Sequence, residues 1–226
     1  MYAIISDIHS NFESFSRFFE KFNGEEIICL GDIVGYGAMP KECIEIMRKK
    51  KIPCVVGNHD FSYYSGDFSK FNREYAKSAF LSLKELNNLD LDFLKKLPDR
   101  LKLKIGVHNV YVAHGSPISF WEYVKYDTPA DILNKFLKIT GCDVILLGHT
   151  HCPFFKKVKE GFILNPGSIG QPRDGNPNAC YMEVDFNEKE LKPKIVRYSY
   201  DIESTAREIK ERGINSFYAE RLYSGI

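Results

Sequence analysis

Val55-Val56-Gly57-Asn58-His59-Asp60 carries a short apolar run into a glycine and then into three polar side chains of different chemistry. Successive side chains of a strand point to opposite faces, and a glycine at its end lets the chain turn sharply. Asn58 and His59 can then face different partners. Asn58 offers an amide oxygen to a metal, His59 points at a substrate, and Asp60 stands beside it to orient the imidazole. An ordinary polar turn is the alternative for this stretch taken alone.

Working outward, the same arrangement recurs. Tyr2 to Ser6 is apolar and ends in Asp7-Ile8-His9, whose two metal-capable residues share a face by the period of two. Phe12, Phe15, Phe18, Phe19 and Phe22 then repeat at spacings of three and four, which predicts a helix from Asn11 to Phe22. Ile27 to Leu30 closes in Gly31-Asp32, and Pro40 opens a second helix through Ile44, Ile46 and Met47. Its basic end, Arg48 to Lys51, complements the helix dipole. Ile52 to Val56 reads as a third strand delivering Asn58, His59 and Asp60. Strands alternating with helices at this spacing argue an α/β domain with its functional groups at one sheet edge.

Residues 61–100 change character. Phe68, Phe71, Tyr75, Ala79, Phe80, Leu83 and Leu86 fit one helical stripe, Asp90 to Leu97 a second short helix, and Pro98 ends it. This segment reads as a helical, cap-like insertion whose aromatics are core, with Tyr63 and Tyr64 as alternatives for flanking a substrate ring. Beyond it, β-like runs at Leu101 to Ile105 and Val110 to Ala113 lead into His114-Gly115. A helix from Asp131 to Thr140 and a buried strand from Asp143 to Leu147 lead into Gly148-His149-Thr150-His151. Trp121 either closes over the site or packs under a loop. Four further strands are expected at Phe154 to Val158, Phe162 to Leu164, Ala179 to Phe186 and Lys194 to Ser199, before a final helix from Glu203 to Arg212. In the turn-rich stretch from Asn165 to Arg173, Arg173 is either a phosphate clamp or a surface arginine.

The 226 residues, 44% of them hydrophobic, suffice for one large core, and no linker or low-complexity run divides the chain. A single domain over 1–226 is expected. With 31 basic against 30 acidic residues, no global field draws the chain to a nucleic-acid polymer or a lipid surface. The first apolar stretch stops at Ser6 and has no basic flank, so neither a signal peptide nor a membrane span is expected, and the reading is cytoplasmic. Cys29, Cys43, Cys54, Cys142, Cys152 and Cys180 are scattered without a CxxC pair, as reduced thiols would be. Cys152, next to His151, is the one placed for oxidation.

Five of the six histidines, His9, His59, His114, His149 and His151, fall at the ends of apolar runs, and only His108 is read as an ordinary turn residue. Asp7, His9, Asp32, Asn58, His114, His149 and His151 make seven oxygen and nitrogen ligands with no thiolate among them. That is more than one tetrahedral zinc site uses and suits two ions sharing a carboxylate.

The ordered set Asp7-Ile-His9, Gly31-Asp32, Gly57-Asn58-His59-Asp60, His114-Gly115 and Gly148-His149-Thr150-His151 resembles the calcineurin-like metallophosphoesterase superfamily. The resemblance implies a four-layer αββα sandwich of two mixed sheets flanked by helices. It assigns Asp7, His9, Asp32 and His151 to one divalent ion and Asp32, Asn58, His114 and His149 to the other, with Asp32 bridging. Manganese, iron, nickel, cobalt and zinc all suit such ligands, manganese being favoured. Hydrolysis of a phosphoester by a hydroxide activated between two ions follows, with His59 as general acid held by Asp60, and Arg173 and Asn11 contacting substrate. The chain departs from the protein-phosphatase pattern, having Gly35-Tyr36-Gly37 where those enzymes carry a phosphate-binding Asp-Arg-Gly. It is more similar to the small prokaryotic branch, which points to phosphodiesters of nucleotide type. A phosphomonoesterase is the alternative. A non-catalytic scaffold, as in the retromer subunit of this fold, is a lesser one, because that subunit lacks the proton-donating histidine retained here. A homodimer is compatible with the sequence.

Overall fold

The computed structural model describes residues 1–24 and 26–226. Their elements, in order, are β1 (Tyr2–Ile5), α1 (Phe12–Lys21), β2 (Glu26–Cys29), α2 (Pro40–Lys50), α3 (Asn58–Ser65), α4 (Arg73–Leu83), α5 (Asn88–Lys95), β3 (Arg100–Ile105), β4 (His108–Ala113), α6 (Ala130–Thr140), β5 (Val144–Leu146), β6 (Phe154–Val158), β7 (Gly161–Asn165), β8 (Ala179–Val184), β9 (Lys194–Tyr198), α7 (Ile202–Glu211) and α8 (Phe217–Ser224). One sheet runs β2-β1-β8-β9 and the other β3-β4-β5-β7-β6, and both mix parallel and antiparallel pairs.

The layers follow from side-chain alternation. In β1, Ile4 enters the core between the sheets while Ala3 and Ile5 join the outer core beneath α1, α2, α7 and α8. In β5, Val144 and Leu146 face the inter-sheet core, and Ile145 faces Leu133, Phe136 and Leu137 of α6. Val110 and Val112 against Tyr111 and Ala113 repeat this in β4. Strands apolar on both faces need cover on both sides, so the product is a helix–sheet–sheet–helix sandwich.

Three elements differ from expectation. Ile52 to Val56 is not a strand: Pro53 has no N–H to give a ladder, and among the described residues the segment meets β2 only at a Cys29–Cys54 bridge. The stripe from Phe68 to Leu86 is not one helix, because the Asn72 side chain accepts the Tyr75 N–H at 2.8 Å and caps α4 there, leaving Phe68 and Phe71 outside it. The last expected helix is followed by α8, whose Tyr218, Ala219 and Leu222 pack into the outer core.

β1 and β2 are parallel, as are β4, β5 and β7. Their carboxyl ends therefore open on common edges, and Asp7, Asp32, His114 and His149 all lie just beyond such ends. Among the described residues, no helix is long and apolar enough to cross a membrane.

Candidate metal centre

Strand-end loops and the first residue of α3 bring the seven expected ligands together, all of them buried. His151 Nε2 lies 3.2 Å from Asp7 Oδ1 and 3.1 Å from His9 Nε2. His9 Nε2 is in turn 3.7 Å from Asp32 Oδ2. From the other side, His114 Nε2 lies 3.1 Å from both Asp32 Oδ2 and Asn58 Oδ1. Asp32, His114 and His149 form one convergent group and Asp7, His9 and His151 another. Asp32 Oδ2 stands between them.

The loops are stitched to one another. Asp7 N–H donates to Gly31 O, His9 N–H to Asp32 O, Gly148 N–H to His114 O and His149 N–H to Asp7 Oδ2, at 2.7 to 3.1 Å. Close approach explains Gly57: a Cβ there would come within 2.0 Å of Asp32 Oδ1. The cost lies in the backbone. Asp7, His9, Asp32, His149 and His151 all have φ between 49° and 66°, a left-handed conformation that costs residues other than glycine roughly 1–3 kcal/mol each. So much strain at five of seven clustered side chains marks a site the surrounding fold holds open for function.

Each of three imidazoles is fixed from behind. His9 Nδ1 donates to Val34 O, His114 Nδ1 to Leu30 O and His151 Nδ1 to Gln171 O, at 2.5 to 3.1 Å. This selects the tautomer whose Nε2 lone pair faces the cluster, the usual arrangement behind a metal-bound histidine. Asp7 Oδ1, Asp32 Oδ2 and His149 Nε2 are buried without a hydrogen-bond partner. Buried polar atoms are rarely left so, and three aimed into one pocket of nitrogen and oxygen donors fit a divalent cation.

Electrostatics agree. Burial works against the Asp7 charge, but His151 and His9 outweigh it and hold the carboxyl well below the usual range. Asp32 is likewise lowered, burial being overridden by His114 and His59. Burial opposes a proton on His114, yet Asp32 prevails and pushes it up to about 10. His149 is lowered to about 4 and His151 to about 3, first by burial and then by His114 and by Arg173 respectively. A cation beside Asp32 would take the place of that His114 proton.

The remaining expected residues divide. His59 directs Nε2 into the cluster, 3.9 Å from Asp32 Oδ2. Asp60 does not orient it. Asn58 opens α3 rather than ending a strand, which places Asp60 in the helix's first turn, facing back. Its carboxylate accepts N–H groups of Asp32, Ile33, Val34 and Gly57 at 2.8 to 3.2 Å. Burial and the Asp32 charge push that carboxyl up to about 7, while the Gly57 and Val34 N–H groups act the other way. Asp60 thus shapes the loop that carries Asp32. Asp60→Ala would uncover four buried donors at roughly 1–3 kcal/mol each. A loss of several kcal/mol of stability is expected, read as a lower denaturant midpoint.

Asn11 is also corrected. Its Oδ1 accepts the Ser14 N–H and its Nδ2 donates to Gly170 O at 2.8 Å, so the amide caps α1 and braces a loop instead of facing a substrate. Tyr63 is core at 1% exposure, and Trp121 packs on Phe71. His108 is not a turn residue but begins β4, where it pairs with Asp143 and with Glu188 O. Arg173 does approach the site: its guanidinium lies over Tyr36, bonds Gln171 Oε1 and leaves Nε buried without a partner.

Four participants escaped the sequence reading. Tyr75 OH meets His59 Nδ1 at 2.5 Å. Tyr36 packs on both His9 and His59, and Tyr123 stacks on His149 with centroids 4.0 Å apart. Half-buried Arg221 is lowered by burial and then by the neighbouring charge of Arg173. Only Tyr36 had a signal, as the residue in place of the phosphatase arginine.

Comparison with known proteins agrees with this geometry. The family model described as the calcineurin-like phosphoesterase superfamily domain matches residues 1–189. An uncharacterized protein of Methanocaldococcus jannaschii is 36% identical over all of this chain and 98% of its own. A probable metallophosphoesterase of the same organism is 30% identical over 62% of this chain and 67% of its own. The crystal structure of a metallophosphoesterase from Sphaerobacter thermophilus superposes with a TM-score of 0.85 at 29% identity, covering 100% of this chain and 99% of that one. With its sandwich fold and its buried cluster of histidines and aspartates, the chain belongs to the calcineurin-like phosphoesterase superfamily.

Proposed function

We propose that the chain is a metal-dependent hydrolase of phosphodiesters of nucleotide type, holding two divalent ions, manganese by preference. The observation that carries this reading is the convergence of the orphaned atoms Asp7 Oδ1, Asp32 Oδ2 and His149 Nε2 in one buried cluster. Asp7, His9, Asp32 and His151 would hold one ion and Asp32, Asn58, His114 and His149 the other. Such ions supply Lewis acidity towards the phosphoryl oxygens and ease deprotonation of an attacking water.

The chain's own groups supply the rest. His59 Nε2 faces the pocket and gives a proton to the leaving oxygen as the P–O bond breaks. Arg173 offers its unpartnered Nε–H to a phosphoryl oxygen. Beside it runs a groove of about 570 Å³, lined in part by Tyr123, Lys125, Tyr126, Thr150 and Arg173. Tyr123 and Tyr126 are 55% and 65% exposed. Exposed rings next to cationic groups suit a flat base attached to a phosphate.

A phosphomonoester is the second reading. Its extra negative charge needs more cationic groups, and Arg221, close enough to Arg173 to feel its charge, is the candidate for a second.

The test is to load the protein with manganese, then with nickel, cobalt, zinc or iron, and compare bis(p-nitrophenyl) phosphate with p-nitrophenyl phosphate and with cyclic and linear nucleotides. Diester turnover exceeding monoester turnover is expected. Arg173→Ala should raise KM for both ester classes by roughly tenfold or more, the equivalent of one charge-assisted hydrogen bond. Stoichiometric metal with no ester hydrolysed would overturn the reading.

A further inference from the structure

His59 lies in an aromatic enclosure. Tyr36, Phe71 and Tyr75 surround the imidazole with ring centroids 4.6 to 4.9 Å away, and His9 closes a further side at 4.7 Å. Aromatic walls fix the plane of a ring but not which nitrogen faces which way, for which a polar partner is needed. Among the described residues, the partner on Nδ1 is the Tyr75 hydroxyl, at 2.5 Å. No carboxylate takes that place. Asp60 is engaged with four backbone N–H groups. Gly35 backs onto this pair, and a Cβ there would come 2.4 Å from His59 Nδ1 and 3.0 Å from the Tyr75 oxygen. Gly35 therefore brings no side chain of its own, and its φ of 105° suits a glycine.

Tyr75 is itself held firmly. It is 2% exposed, stacks on Phe71 with centroids 4.4 Å apart and meets Tyr36 edge to face. Its backbone N–H is the group capped by Asn72 at the start of α4. The cap that begins the helix thus also sets the position of the hydroxyl.

We propose that Tyr75 is the positioning residue for His59, so that the helical segment 61–100 completes the proton-donating machinery in place of an acidic partner. This rests on His59 being the proton donor described above. The donating step needs the ring to carry both protons, a form that burial opposes and the Asp32 carboxylate favours. It then transfers its Nε2 proton to the leaving oxygen, which takes the electron pair of the breaking P–O bond. The ring is left neutral, its Nδ1–H still donating to the Tyr75 oxygen. A hydroxyl can hold the ring this way through the whole step because it accepts from Nδ1 before and after transfer.

The test is Tyr75→Phe, which keeps the ring and its packing and removes only the oxygen. In the manganese-loaded protein, metal content and KM for a model diester should match the parent. A misaligned donor should lower kcat by roughly 10- to 100-fold, more for esters with poor leaving groups than for activated aryl esters. In a His59→Ala background the same substitution should have no further effect on kcat, since the two act as a unit. An unchanged kcat overturns the role of Tyr75, as does an equal loss in both backgrounds or a loss confined to metal content. If His59→Ala alone keeps full activity, it is the donor assignment that fails, and the two failures are separable.

Discussion

Asp32→Asn is expected to abolish metal binding and turnover together while leaving the fold in place. Asp32 Oδ2 is the atom the two halves of the cluster share, 3.1 Å from His114 Nε2 and 3.7 Å from His9 Nε2. Replacing the carboxylate by an amide removes the charge at that point and can present an N–H where a cation needs a lone pair. The asparagine keeps the second job of the side chain, since its oxygen can still accept the His59 backbone N–H that Asp32 Oδ1 accepts at 2.9 Å. Asp32→Ala would lose both, adding roughly 1–3 kcal/mol for the uncovered donor, which a domain with 5–15 kcal/mol in hand survives. Elemental analysis of both variants after manganese loading, alongside thermal melts, separates charge from fold. Full metal content and full activity in Asp32→Asn would remove Asp32 from the centre of the site.

The second large effect belongs to His59. His59→Ala should keep its metal and lose roughly 10²- to 10⁴-fold in rate, with the deficit growing as the leaving group becomes a poorer one. The competing reading treats His59 as a ligand, because its Nε2 also converges with His9 and Asp32. The supports behind the rings argue against that. His9, His114 and His151 each give their Nδ1 proton to a backbone carbonyl, whereas His59 meets a phenol and stands farther from Asp32, at 3.9 Å. Metal analysis decides between them. A His59→Ala protein that no longer holds manganese would make His59 a ligand, and one with undiminished turnover would leave the site without this donor.

On the proposed reading, the side of the site set towards substrate is less local than the side set towards metal. Arg173 and Arg221 come from distant parts of the chain, and Tyr123 from the loop after β4. Arg173 lies over Tyr36 and Tyr123 stacks on His149, so the residues that the proposed reading sets towards substrate share no common motif.

The period of two expected for Asp7 with His9 and for His149 with His151 does not hold: all four have left-handed φ, and His149 joins Asp32 and His114 while His151 joins Asp7 and His9. What was legible is that an apolar run ends just before each candidate ligand, which marks the loops that carry them. Alternation in β1, β4 and β5 likewise encodes which side chains enter the inter-sheet core and which meet the helices. Asp60 misled because its direction depends on where α3 begins, and one turn of helix redirects a carboxylate that would otherwise lie beside His59.

What the linear chain determined by itself was the donor chemistry, the loops that carry it and the alternation of strands and helices, because each is written in patterns a few residues long; the layered sandwich was implied by the resemblance of the ordered motifs. What only the tertiary structure decided was the company those donors keep. Tyr75 at the back of His59 and Asp60 beneath the Asp32 loop are contacts between different elements of the chain. No local spacing encodes such meetings, since they exist only once the packed core has set where each helix and loop comes to rest.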